Sequence, residues 1–343
     1  MNDMAKRLTS FDIAKAVALI AVVVGHCSFA GVPQGVVKAC YSFHMPLFFI
    51  VSGYFFKQQE DERALLRKSV SGLLVPYLGT SLILIVLMVF RTIFDGGLVV
   101  ETVRSWTVAA LYGSGAVLDS MPEGVMAIGA IWFLLALFWS RLLLNAALKT
   151  DYPALVCLAL FIVGIGSADS IWLPLAVQPA MCAVLFLYIG FKIKESSLLR
   201  RGGMSPILWG FSFCIWLYCA RYHGVLYMVS NTYAAGAMDV IGGVCGSICL
   251  LKLSEVYISK IPVLSSMLKF VGKNSLAFFC MHLVELDVIR WDLIWEIMSQ
   301  IPHAWVLMVL MQVACTGLFA GVVYCLPPFL SGLFYPARRA KSA

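Results

Sequence analysis

A chain of 343 residues that is 61% hydrophobic and only 13% charged departs widely from the soluble norm of about 25% charged residues. With a mean hydropathy of +0.91, this composition excludes a soluble enzyme and predicts an all-α, multi-pass membrane helix bundle. The net charge of +7 is not a nucleic-acid signature, because the basic residues sort by membrane side.

Ten segments are long and apolar enough to cross a bilayer: roughly 11–30, 38–56, 70–94, 125–147, 153–168, 171–191, 204–220, 235–251, 270–290 and 304–330. With the N-terminus in the cytoplasm, nineteen basic residues fall inside and five outside (Lys38, Arg91, Arg104, Arg221 and Arg290). Lys15 stays within the first segment. The inside set includes Lys57, Arg63, Arg67, Lys68, Arg141, Lys149, Arg200, Arg201, Arg338, Arg339 and Lys341. The positive-inside rule therefore puts both termini in the cytoplasm. No internal repeat divides the chain, so residues 1–343 read as one integral-membrane domain in the cell membrane. None of the eleven cysteines forms a CxxC pair, so neither a disulfide frame nor a zinc site is suggested, and no metal is required.

The first segment, Phe11 to His26, carries Asp12, Lys15 and His26. The two charged residues interrupt what would be the apolar core of a cleavable signal peptide. At 100° per residue Lys15 and His26 come within about 20° of each other, and Asp12 lies about 40° from His26. The three form a polar stripe that climbs roughly 16 Å from Lys15 to His26. Ionisable groups inside a bilayer are costly and normally face a bundle interior or a polar cavity. A packing stripe with a snorkelling lysine accounts for Lys15 and Asp12, but not for His26, which sits well inside the apolar run.

The second segment places His44 in its outer half, at a depth similar to His26 on the antiparallel neighbour. Pro46 frees a backbone carbonyl, which suits either a cavity wall or a histidine bonded to that loosened backbone. In the inner loop that follows, Arg63 and Arg67 are i,i+4 neighbours beside Lys68. They read as topology determinants or as a phosphate clamp. The outer loop at about 95–124 reads as an interfacial helix with aromatic anchors or as a lid. Trp132 reads as packing or a site residue. In the ninth segment Ser275 and His282 are seven apart and nearly eclipsed, with Glu285 three beyond. His282 with Glu285 forms either an oriented base or a packing pair. His223 and His303 carry no signal.

This combination resembles the acyltransferase-3 family of membrane acyltransferases, in particular its fucose O-acetylase-like branch. The matching residues are Phe11-Asp12 with Lys15 and Gly25-His26; Phe43-His-Met-Pro-Leu-Phe-Phe49; Ser52-Gly-Tyr-Phe-Phe56; Val75-Pro-Tyr77; Trp132-Phe-Leu134; and Gly272-Lys-Asn-Ser-Leu276 with His282. The resemblance implies transfer of an acyl group, usually acetyl from cytoplasmic acetyl-CoA, to a hydroxyl of an extracytoplasmic or lipid-linked carbohydrate. It implies His26 as the catalytic histidine and Lys15 as its basic companion. It also implies the basic stretch after the second span as the contact for the phosphates of coenzyme A. Many members carry two arginines separated by two residues there, where this chain has Arg63-Ala-Leu-Leu-Arg67-Lys68.

The residue chemistry fits that assignment. An acceptor hydroxyl needs a base within hydrogen-bond reach, and imidazole titrates in the useful range. His26 is thus the expected base, with transient acylation of His26 as the alternative. Asp12 or Lys15 holds the inner site, and His44 orients or polarises near the reacting carbonyl. Other uses of the same residues are transfer of succinyl or another short acyl group, a transporter with a proton-relaying stripe, or a sensor module.

Overall fold

The computed structural model describes residues 3–196, 198–199, 205–222 and 225–336, with side chains from residue 9 onward. His223, Arg200, Arg201, Arg338, Arg339 and Lys341 lie outside the described residues. The described chain is helical almost throughout. Its first helices are α1 (Asp3–His26), α2 (Gln34–Tyr54), α3 (Glu62–Ser69), α4 (Val75–Phe94) and α5 (Val99–Tyr112). There follow α6 (Trp132–Ala147), α7 (Pro153–Gly166), α8 (Val177–Glu195), α9 (Pro206–Tyr222) and α10 (Ala237–Val256). The last are α11 (Pro262–Lys273), α12 (Ser275–Val288), α13 (Trp291–Met298), α14 (Ala304–Cys325) and the single turn α15 (Pro328–Ser331). A two-stranded antiparallel ribbon pairs Leu226–Tyr227 with Thr232–Tyr233.

Six helical stretches among the described residues are long and apolar enough to cross a membrane: Thr9–Ala30, Gln34–Tyr54, Glu62–Phe94, Val177–Glu195, Ala237–Lys260 and Ala304–Cys325. Segments 125–147 and 153–168 contain shorter apolar helices, Trp132–Ala147 and Pro153–Gly166. The ninth segment is two helices rather than one. Asn274 breaks it at φ −106°, ψ 23°, its backbone N–H bonded to the Phe270 and Val271 carbonyls and its side-chain amide donating to Phe270 O at 2.9 Å. Between α3 and α4 the backbone runs as a π-helix over Val70–Leu74. Pro76 lacks an N–H and cannot serve the carbonyl four residues back, and the wider turn absorbs that break without ending the Glu62–Phe94 stretch.

The chain divides into two compact units. The first comprises Met1–Lys57, Leu185–Met228 and Thr232–Ser275. In it α1 packs on α2, α10 and α11, and α2 packs on α9 and α10. A close crossing in it joins α2 to the second half of α8. A β-carbon on Gly53 would lie 1.9 Å from the Leu187 carbonyl oxygen, and one on Gly190 would lie 2.0 Å from that of Ile50. Only glycine at both positions lets the two backbones touch, as small residues do at close helix crossings in membranes. The Ser52-Gly-Tyr motif is thereby explained as packing.

The second unit comprises Gln58–Val184, Val229–Asn231 and Leu276–Ala343. Here α4 packs on α5, and α6 packs on α3, α7 and the π-helical turn. The loop at 95–124 contains α5. Beyond it, Trp172 Nε1 donates to Ser114 Oγ at 3.0 Å and Ser120 Oγ to the Ala168 carbonyl at 2.6 Å. Met121, Ala168 and Trp172 form a small core beneath the loop.

Candidate functional site

The polar stripe of α1 is reproduced in three dimensions. Asp12, Lys15 and His26 are each half-buried, whereas most of the helix between them is buried. The remaining half-buried positions, Val17, Ile20 and Val24, lie roughly 110–170° around the axis from that trio. The helix thus has two partly open sides, one polar and one apolar. At the lower end Lys15 Nζ and Asp12 Oδ1 form an ion pair of 3.0 Å. Each charge neutralises the other, which is how a membrane-embedded pair is made tolerable. A β-carbon on Gly272 would strike the Asp12 carbonyl at 1.7 Å, so α11 meets α1 backbone to backbone beside this pair.

At the upper end α1 closes at His26, and the chain turns through a 3-10 segment, Cys27–Ala30, into α2. His44 is buried and within electrostatic reach of His26. Its Nδ1 lies 2.7 Å from the Cys40 carbonyl. A carbonyl can only accept, so the Nδ1 proton is donated and the neutral ring keeps its lone pair on Nε2. This carbonyl is not the one that Pro46 loosens, which belongs to Ser42. The hydroxyl of Ser42 donates to Ala39 O at 2.7 Å and accepts from Trp216 Nε1 at 2.8 Å.

Tyr41, which sequence reasoning did not select, completes this end. Its ring meets His44 edge-on at 5.0 Å and Tyr227 edge-on at 5.0 Å. A β-carbon on Gly25 would sit 2.8 Å from Tyr41 Cε2, so Gly25 provides the space for a ring next to His26. The signal was present: Tyr41 lies three residues before His44, on one helical face. Two imidazoles and a phenol at the upper end of the half-open polar face of α1 can move a proton from a hydroxyl and orient its attack.

The other sequence-selected residues belong to the second unit, apart from Ser275, which opens α12 half-buried. Arg63, Arg67 and Lys68 are exposed on α3, whose first turn is capped by Asp61 accepting from Arg63 N at 2.9 Å. Trp132 is buried at the start of α6, its ring lying where a β-carbon on Gly115 would be. His282 and Glu285 are fully buried. Glu285 Oε1 accepts from His282 Nδ1 at 2.8 Å and from Thr316 Oγ1 at 3.3 Å, and Oε2 accepts from Trp291 Nε1 at 2.9 Å. The geometry around Glu285 is that of a closed network.

The sequence model of the acyltransferase-3 family, described as an acyltransferase domain, matches residues 8–333. The chain belongs to this family. It is an acyltransferase whose transferred group is not an aminoacyl group, and its apolar helices make it a multi-pass membrane protein. No curated protein and no solved structure matches the chain. The match begins before Asp12 and ends beyond Thr316, so every side chain described above lies within the acyltransferase domain.

Proposed function

We propose that this acyltransferase moves an acetyl group from cytoplasmic acetyl-CoA to a hydroxyl of an extracytoplasmic or lipid-linked glycan, in the manner of the fucose O-acetylase-like branch. In this reading it resides in the plasma membrane with ten spans and both termini inside. The observation that carries the proposal is the polar face of α1, which rises from the Asp12–Lys15 pair to His26 and meets His44 there. A face of this kind gives a thioester an entry from one side and an alcohol an entry from the other.

His26 takes the proton of the acceptor hydroxyl as the hydroxyl oxygen attacks the thioester carbonyl. The new C–O bond forms, the C–S bond breaks, and the departing thiolate of coenzyme A recovers the proton from His26. His44, its tautomer set by the Cys40 carbonyl, orients the reacting groups. Arg63, Arg67 and Lys68 contact the donor's phosphates. Ser275 and Trp132 belong to the acceptor side, and the sealed His282–Glu285 pair positions it.

The test is transfer of labelled acetyl from acetyl-CoA by the purified protein in proteoliposomes, beside mass spectrometry of surface glycans from cells with and without the protein. Loss of one acetyl mass from the glycan supports the reading. Solute flux without acyl transfer overturns it.

A further inference from the structure

At the upper end of α1 and α2, one hydroxyl stands apart from its neighbours. The Ser42 hydroxyl donates to the Ala39 carbonyl and accepts from Trp216 Nε1. His44 gives its Nδ1 proton to the Cys40 carbonyl, so the neutral ring offers only a lone pair at Nε2. The Tyr41 hydroxyl, by contrast, makes no hydrogen bond among the described residues. Elsewhere in the chain Tyr77, Tyr112 and Tyr335 donate their hydroxyls to the backbone carbonyls of Ala110, Trp172 and Ala320. A tyrosine O–H withdrawn from bulk water usually finds such a partner.

The ring that carries this unengaged hydroxyl is held on three sides. Its centroid lies 5.0 Å from that of His44, with the planes at 78°, and 5.0 Å from that of Tyr227, with the planes at 64°. Tyr227 is itself anchored, because its neighbours Leu226 and Met228 are buried. On the third side the ring meets α1. A β-carbon on Gly25 would lie 2.8 Å from Tyr41 Cε2, 3.2 Å from Cζ and 3.4 Å from the hydroxyl oxygen. The hydroxyl-bearing edge of the ring therefore faces α1 at the residue before His26. Tyr41 and His26 are both half-buried, so this end is open to an incoming molecule. A donor fixed by packing and left without an internal acceptor is preorganised for an acceptor that arrives with the substrate.

Acyl transfer creates such an acceptor. As an alcohol attacks a thioester, the carbonyl oxygen gains negative charge, and donors aimed at it lower the barrier. Among the α1 and α2 side chains considered above, His26 serves as the base, while His44 and Ser42 have already committed their protons. We propose that the Tyr41 hydroxyl is the oxyanion donor of the transfer reaction. The acceptor oxygen bonds to the carbonyl carbon while His26 takes its proton, and the C=O π electrons move onto the carbonyl oxygen. Tyr41 donates a hydrogen bond to that oxyanion and keeps its own proton. The oxyanion then collapses, the C–S bond breaks, and the departing thiolate recovers the proton from His26. This role rests on the function proposed above.

The test compares purified wild type and Tyr41→Phe in proteoliposomes with acetyl-CoA as donor, beside thermal melts and coenzyme A binding. Tyr41→Phe keeps the ring and removes only the hydroxyl. It is expected to lower kcat about 100-fold or more, with donor KM and coenzyme A affinity unchanged. Its melting temperature should match wild type, because the hydroxyl has no internal partner to lose. Equal kcat in the two proteins would overturn the role while leaving the function in place. A loss in KM alone would also overturn it, since that marks a contact made equally in the ground state. A Tyr41→Phe protein that melts clearly lower or does not fold would overturn it too, by showing that the hydroxyl is structural. Absence of acetyl transfer by the wild type would remove the function and the role together.

Discussion

The imidazole of His44 donates its Nδ1 proton to the carbonyl of Cys40, one helical turn earlier, at 2.7 Å. That bond fixes which nitrogen is left to act, and the two nitrogens can be tested separately. An asparagine amide reproduces the Nδ1 donor but offers nothing at the position of Nε2. His44→Asn is expected to fold with a melting temperature near wild type and to lose acyl-transfer rate, with the loss in kcat rather than in donor KM. Unchanged kcat in His44→Asn would assign His44 to packing alone.

Gly25 and Tyr41 make a second separable pair. Gly25→Ala puts a β-carbon 2.8 Å from the Tyr41 ring and is expected to cost about 1–3 kcal/mol through overpacking. Shortening the ring in Gly25→Ala/Tyr41→Leu should recover part of that loss, so the two substitutions will be non-additive in a double-mutant cycle. Thermal melts of the four proteins measure the coupling. Additive losses would mean that the two residues do not touch.

The α2–α8 crossing predicts a sharp contrast among glycines. Gly53→Ala and Gly190→Ala each force backbones apart and should lower the melting temperature markedly, with a cost above the usual overpacking range of about 1–3 kcal/mol. Gly317→Ala, on α14 with open space around it, should be neutral or mildly stabilising. Equal effects at all three positions would contradict the close crossing.

The closed network around Glu285 predicts non-additive stability. Glu285→Leu alone strands His282 in a sealed site, and loss of one partner of a buried pair costs about 3–5 kcal/mol. His282→Leu/Glu285→Met, which removes both, should be the more stable of the two variants. Chemical denaturation in mild detergent distinguishes them, and a double variant no better than the single one would show that the pair is not a unit.

Much of the first unit was legible in the sequence because its determinants are local. The polar stripe of α1 follows from helical phase alone, and the side-by-side placement of His26 and His44 follows from two antiparallel spans with a short link. Other features depend on what each helix meets. Nothing in the sequence around Gly190 announces that Ile50 will lie against it. The division of segment 270–290 at Asn274 escaped notice because hydropathy is continuous across the break, which shows only in the backbone of Asn274. The π-helical turn ahead of Pro76, which packs against α6, likewise leaves no mark on the hydropathy. Arg141 read simply as one more inside cation, since the burial of its Nε is a tertiary property.

The most direct measurement is the rate of acetyl transfer from acetyl-CoA by purified wild type and His26→Ala in proteoliposomes, with matched melting temperatures confirming that both are folded. General-base catalysis at this ring predicts a fall of about 100- to 10,000-fold in the variant. A folded His26→Ala protein that transfers acetyl at the wild-type rate would contradict the account.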